Sequence, residues 1–113
     1  MSKKDSALAI LESGLDLITR GWCQNDYAKS AKGLSRKPSD KSARSWCAVG
    51  ALDCAAQRLN HELYSPAHSA ALGCLHTCNN KAPLAEWNDD PSRTKKDVVL
   101  LYKSAVEQLK GGL

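Results

Sequence analysis

A chain of 113 residues, 42% of them apolar, suffices for one domain burying roughly two thirds of its unfolded surface, so neither metal nor disulfide is needed to build a core. The N-terminal apolar run, Ala7 to Leu11, stops at Glu12; this is too short for a signal sequence or a membrane span and leads to the expectation of a cytoplasmic protein. The formal net charge of +4 is carried by one segment, where Lys29, Lys32, Arg36, Lys37, Lys41 and Arg44 face only Asp26 and Asp40, which calls for an acidic partner or a solvated loop.

In chain order, Leu8, Leu11, Leu15 and Ile18 repeat at three and four residues and predict a first helix capped by Ser2 or Asp5 and ended at Gly21. A left-handed Gly21 would fold Trp22 back onto Leu17, and Gly14 within the helix suggests that another backbone approaches there. A short helix over Asp26 to Ala31 and the polar loop "KGLSRKPSDKS" follow. Ser39 or Asp40 can cap a second helix reaching about Leu59. On it Ala43, Cys47, Gly50 and Cys54 form a small-residue groove, and the breadth of its apolar surface predicts a central helix.

Ser65 and Pro66 open a third helix that closes at Asn79 and Asn80. The segment "KAPLAEWNDDPSRT" allows one helical turn over Leu84 to Trp87 between Pro83 and Pro91. Thr94 and Asp97 form a capping box for the last helix, with Val98, Leu101, Tyr102, Ala105, Val106 and Leu109 on its core face and Gly111 as its end. No stretch alternates apolar and polar residues, so no sheet is predicted. The predicted fold is all-α: residues 1–113 as a single domain, a compact bundle of four main helices plus one or two short helical turns.

The tetrapeptides "RGWC" at 20–23 and "RSWC" at 44–47 do not extend into a repeat. Trp22 and Trp46 are assigned to one core, with Gly21 and Gly50 as structural glycines and Cys23 and Cys47 filling gaps beside the rings. The odd count of five cysteines in a reducing compartment reads as free thiols. Cys74 and Cys78 share a helix face around His76, but zinc needs further ligands, such as Cys54, His61 or His68, and the spacing is not that of a zinc knuckle. Packing is therefore assigned, with no metal and no cofactor expected. Neither Cys23 nor Cys47 has a nearby histidine in sequence to make it a nucleophile. Asp89 and Asp90 before Pro91 read as turn residues, and no phosphate-binding glycine loop is present.

The order "GWC", "ARSWCAVGAL" and "WNDDPSRTKKDV" resembles a family of small uncharacterised domains found in bacteria, notably actinobacteria, and in phages. The resemblance runs from Leu15 to Ala105 and implies helical character but no activity. Cys54, Cys74 and Cys78 lie outside its motifs. Trp87, Asn88, Asp89 and Arg93 are its residues without a structural assignment and form the candidate ligand or partner pocket, Arg93 being expected to pair with Asp89 or Asp97. The leading expectation is a non-enzymatic binding module of bacterial or phage origin with a protein partner, one version being a phage inhibitor of a host system. The alternatives are nucleic-acid contact through the basic segment 29–44, without a helix-turn-helix to read sequence, and a small metal-binding protein or enzyme.

Overall fold

The computed structural model describes residues 2–111. Ser2 caps α1 (Lys3–Arg20) by accepting the N–H of Asp5. The helix buries Ala7, Ile10, Leu11, Gly14, Leu17 and Ile18, leaving Leu8 and Leu15 half-covered at its flanks, so the core face is centred one residue before the expected leucine stripe. Helix α1 is the centre of the molecule: α2 (Ala48–Arg58), α3 (Pro66–Cys78) and α5 (Lys95–Lys110) all pack against it. The short α4 (Leu84–Asp89) rests on α2. The centrality expected of the second helix thus belongs to the first, whose length lets three partners share its buried side.

The all-α prediction is overturned by a three-stranded antiparallel sheet, β1 (Ala28–Ser30), β2 (Ser35–Arg36) and β3 (Ala43–Trp46), in the order β2-β1-β3. It makes the fold mixed α/β. Of the residues expected to form a short helix at 26–31, Ala28–Ser30 are strand and the others bend or turn, and those expected to begin the second helix are a turn followed by β3. The strands are two to four residues long, too short for alternation to register, and "ARSW" carries little intrinsic strand preference. Pairing and burial, not propensity, make the sheet.

Helix α2 starts at Ala48, capped by the Cys47 sulfur, which accepts the Gly50 N–H at 3.3 Å. The groove expected on this helix does not form, because Ala43 lies in β3 and Cys47 caps the helix. Gly50 is small for another reason: a Cβ there would sit 1.9 Å from the Tyr27 carbonyl oxygen. Gly21 likewise faces Arg44, whose carbonyl would lie 2.2 Å from an added Cβ. Gly21 is extended (φ −169°, ψ 125°), so Trp22 leaves α1 alongside β3 instead of folding onto Leu17. The Trp46 N–H donates to the Gly21 carbonyl at 3.0 Å and the Cys23 N–H to the Trp46 carbonyl at 3.1 Å.

The C-terminal helix follows the expectation closely: the Thr94–Asp97 capping box is formed, and Val98, Leu101, Tyr102, Ala105 and Val106 are buried. Tyr102 is fully buried, its ring occupying the space that a Cβ on Gly14 would need, 2.7 Å from Cε1, and its hydroxyl donates to the Ala48 carbonyl at 2.6 Å. The close neighbour implied by Gly14 is thus a ring rather than a backbone. Burial drives the Tyr102 phenol well above its ordinary pKa.

Candidate binding site

Asn88, at the C-terminal end of α4, has no exposed surface. Its Oδ1 accepts the Trp22 indole N–H at 2.8 Å and the Ala48 N–H at 2.9 Å, while its Nδ2 donates to the Cys23 carbonyl at 3.1 Å and to Asp89 Oδ1 at 2.9 Å. Both lone pairs and both protons of the amide are used. A side chain buried without such partners would carry the full cost of desolvation; here it joins the segment after α1, the start of α2 and the end of α4. Around it, Gln24 Nε2 donates to the carbonyls of Asn88 and Asp90, and the Asn25 N–H donates to Asp89 Oδ1. Asn25 takes a left-handed conformation (φ 70°), which asparagine tolerates better than most residues.

The four residues expected to form one pocket are divided by this geometry. Asn88 is a buried connector. Trp87 is covered by Arg93, whose guanidinium lies 4.1 Å from the ring centroid and whose Nε donates to the Trp87 carbonyl at 2.8 Å. Arg93 therefore pairs with neither Asp89 nor Asp97; the latter is held by the Thr94 cap. Asp89 lines a cleft, a space of about 310 Å³ also bordered by Asn25, Asp26, Tyr27, Arg36 and Cys47. Asp89 Oδ2 has no hydrogen-bond partner among the described residues.

Cys23 and Cys47 are buried, as expected, beside a buried Trp46 and a half-buried Trp22. Cys47, 4% exposed, also lines the cleft. Burial raises its pKa to about 11 against the opposing pull of the Gly50 and Val49 N–H groups, and raises that of Cys23 as well. Burial is the largest influence on both thiols and favours their neutral form.

A second cleft of about 370 Å³ adjoins the first at Arg36 and is lined by Ser30, Lys32, Leu34, Ser42 and Arg44. Among the described residues no carboxylate lies within 4.0 Å of Lys32, Arg36 or Arg44. Asp40, which feels the charge of Arg36, spends its Oδ1 on the N–H and hydroxyl of Ser42; these bonds hold its carboxyl below the ordinary range. Of the six basic residues in this segment the sheet thus gathers three. Lys29 turns to Asp26 at 3.9 Å, and Lys37 and Lys41 are exposed outside β2 and β3.

Elsewhere, His68 is buried, with Nε2 2.8 Å from Asp53 Oδ1 and Nδ1 accepting the Tyr64 N–H at 2.9 Å. Because Nδ1 is an acceptor, the ring proton sits on Nε2 and points at Asp53. Burial raises the Asp53 carboxyl while the His68 hydrogen bond pulls it down. Sequence reasoning missed this pair; the signal was Asp53, a lone acid in the otherwise apolar run Cys47 to Ala56. Cys78 donates to Gln108 Oε1 at 2.7 Å and Cys74 to the Ala105 carbonyl at 3.3 Å, so these thiols tie α3 to α5. No group of three or more metal-ligating side chains occurs among the described residues. No helix of the described residues is long and apolar enough to cross a membrane.

Residues 2–108 match the model of a family described as "Family of unknown function (DUF6197)". No curated protein and no solved structure matches the chain.

Proposed function

We propose that this chain, which belongs to that family of unknown function, is a non-catalytic binding module that engages an anionic partner through the face of its small sheet. The observation that carries this reading is the cleft lined by Lys32, Arg36 and Arg44, none of which has a carboxylate within 4.0 Å, the nearby Asp40 being held by Ser42. Arg36 and Arg44 are held in place by hydrogen bonds to neutral oxygens of Ser35, Lys41, Ser42 and Ala43, so their charge is not neutralised, and cations on a concave surface concentrate anions there and raise association rates. The raised pKa values of Cys23 and Cys47 and the full engagement of Asn88 favour binding over catalysis. The five free cysteines support a reducing compartment, the cytoplasm.

A phosphodiester chain and an acidic protein surface both meet these cations. The test is a fluorescence-anisotropy titration with a labelled single-stranded oligonucleotide and with polyglutamate, at rising salt. The expected result is binding that weakens steeply with salt and falls at least tenfold when Lys32, Arg36 and Arg44 are all replaced by alanine. Failure of both probes to bind at low salt, or binding indifferent to the triple replacement, overturns the reading.

A further inference from the structure

We infer that His68 is a proton-operated latch: while its ring is neutral it holds Tyr64 in the left-handed turn before α3, and a second ring proton releases that turn. The device uses none of the residues that line the cationic cleft.

Tyr64 has a left-handed backbone (φ 63°), a conformation that a bulky side chain disfavours and that persists only where neighbouring contacts enforce it. Its ring is 75% exposed and Leu63 beside it is exposed as well, so burial in the core does not supply that enforcement. His68 does: the Tyr64 N–H donates to Nδ1 at 2.9 Å, and the Tyr64 ring meets the imidazole edge-on with centroids 5.4 Å apart. The other ring nitrogen, Nε2, gives its proton to Asp53 of α2 at 2.8 Å, which leaves Nδ1 as the one ring nitrogen able to take another. A proton added there turns the acceptor into a donor and sets two N–H groups face to face, so the imidazolium and the closed turn exclude each other. The lost bond is offset at Nε2, where imidazolium and carboxylate become an ion pair. Among the described residues no lysine or arginine lies within 4.0 Å of Asp53. Helices α1 and α5, which also pack on α3, place no ionisable side chain in hydrogen-bond or ion-pair contact with the His68 ring, whose described partners are Asp53 and Tyr64. His61 and Glu62 are the other titratable groups of the turn.

The test is an NMR titration of the whole chain between pH 4 and 8, which brackets the ordinary imidazole value of about 6.5. As pH falls, the His68 ring and the Tyr64 amide are expected to titrate with one midpoint, the amide losing its hydrogen-bonded shift while the amides of α5 stay in place. Asp53→Asn keeps an acceptor but removes the charge, and should lower that midpoint by about half a pH unit or more. His68→Gln should make the Tyr64 amide indifferent to pH. The inference is overturned by a His68 ring that does not titrate in this window, or by a Tyr64 amide that stays fixed as the ring titrates. A Tyr64 shift that survives His68→Gln, and so belongs to His61 or Glu62, overturns it too, as does a midpoint unmoved by Asp53→Asn. A midpoint shared by α5 marks unfolding of the whole chain and has the same consequence. If one variant fails to fold, the unaltered chain and the other variant still decide the matter.

Discussion

The helical layer and the segment from Gly21 to Cys47 are held together in different ways. In the first, Ile10, Leu11, Leu17, Ile18, Leu52, Leu75 and Val98 are buried almost completely, and the stabilising quantity is apolar area removed from water, which tolerates exchange among residues of similar volume. In the second, little large apolar surface is buried beyond Trp46, and the chain is fixed by backbone pairing and by one amide with four partners. Such a network fails as a unit, because each lost member leaves others desolvated and unpaired. One place where the two regions meet is Ala48, which gives its N–H to Asn88 and receives the Tyr102 hydroxyl at its carbonyl.

The contrast predicts an order of effects. Asn88→Ala should be the most damaging, at about 3–5 kcal/mol of unfolding free energy, since it strands the Trp22 indole N–H, the Ala48 N–H and the Cys23 carbonyl at about 1–3 kcal/mol each, partly recovered by water. Urea denaturation would measure it, and a loss below about 1 kcal/mol would mean the node does not hold the segment. Tyr102→Phe keeps the apolar packing and removes one hydroxyl, so a loss of about 1–2 kcal/mol is expected. Its combination with Asn88→Ala in a double-mutant cycle should show coupling of about 0.5 kcal/mol or more through Ala48, whose N–H and carbonyl the two side chains bond; strict additivity would separate the two regions.

Alkaline pH gives a smaller test. Burial raises the pKa of Cys47 from 9.0 to about 11 and that of Tyr102 above 10.0, so the folded chain binds more protons than the unfolded chain over this range. Stability contributed by these neutral groups is complete below about pH 9 and declines as pH rises from there through their folded-state values. Thermal melts between pH 8 and 11 should show the decline, and Tyr102→Phe should lessen it above pH 10. The smallest effect is expected from Lys32→Ala with Arg44→Ala: both residues are exposed, and the melting curve should correspond to a change within about 0.5 kcal/mol, so that any loss of anion binding is a loss of contact and not of fold.

The same contrast explains what the sequence disclosed. Helices announce themselves by period, and the last one was legible to its capping box because Thr94, Asp97 and the Val98 to Val106 face are all local signals. The sheet was not, since two to four residues cannot carry a period and its partners are set by tertiary pairing. Gly21 and Gly50 were recognised as structural, but the reasons assigned to them, a left-handed turn and a helix groove, are replaced by the carbonyls of Arg44 and Tyr27, which sequence spacing does not show. Of the candidate pocket, Asn88 is a buried connector and Asp89 lines a cleft. Trp87 and Arg93 stack on each other, a contact between neighbours in sequence that the motif does not show. Tyr27 and Cys47 reached the cleft through chain crossings separated by as much as 66 residues, the span between Trp22 and Asn88.

That separation also bears on the order in which the protein is made. A ribosome-bound chain that has released Trp22, Cys23 and Ala48 has not yet released their common partner. Helix α1 can form from local contacts while the chain is still growing, but its exit segment and the start of α2 stay unsatisfied until Asn88 emerges. The cleft lined by Asp89 is therefore a late structure, incomplete in any nascent chain that ends before residue 89, and a partner that requires it cannot engage the growing chain earlier.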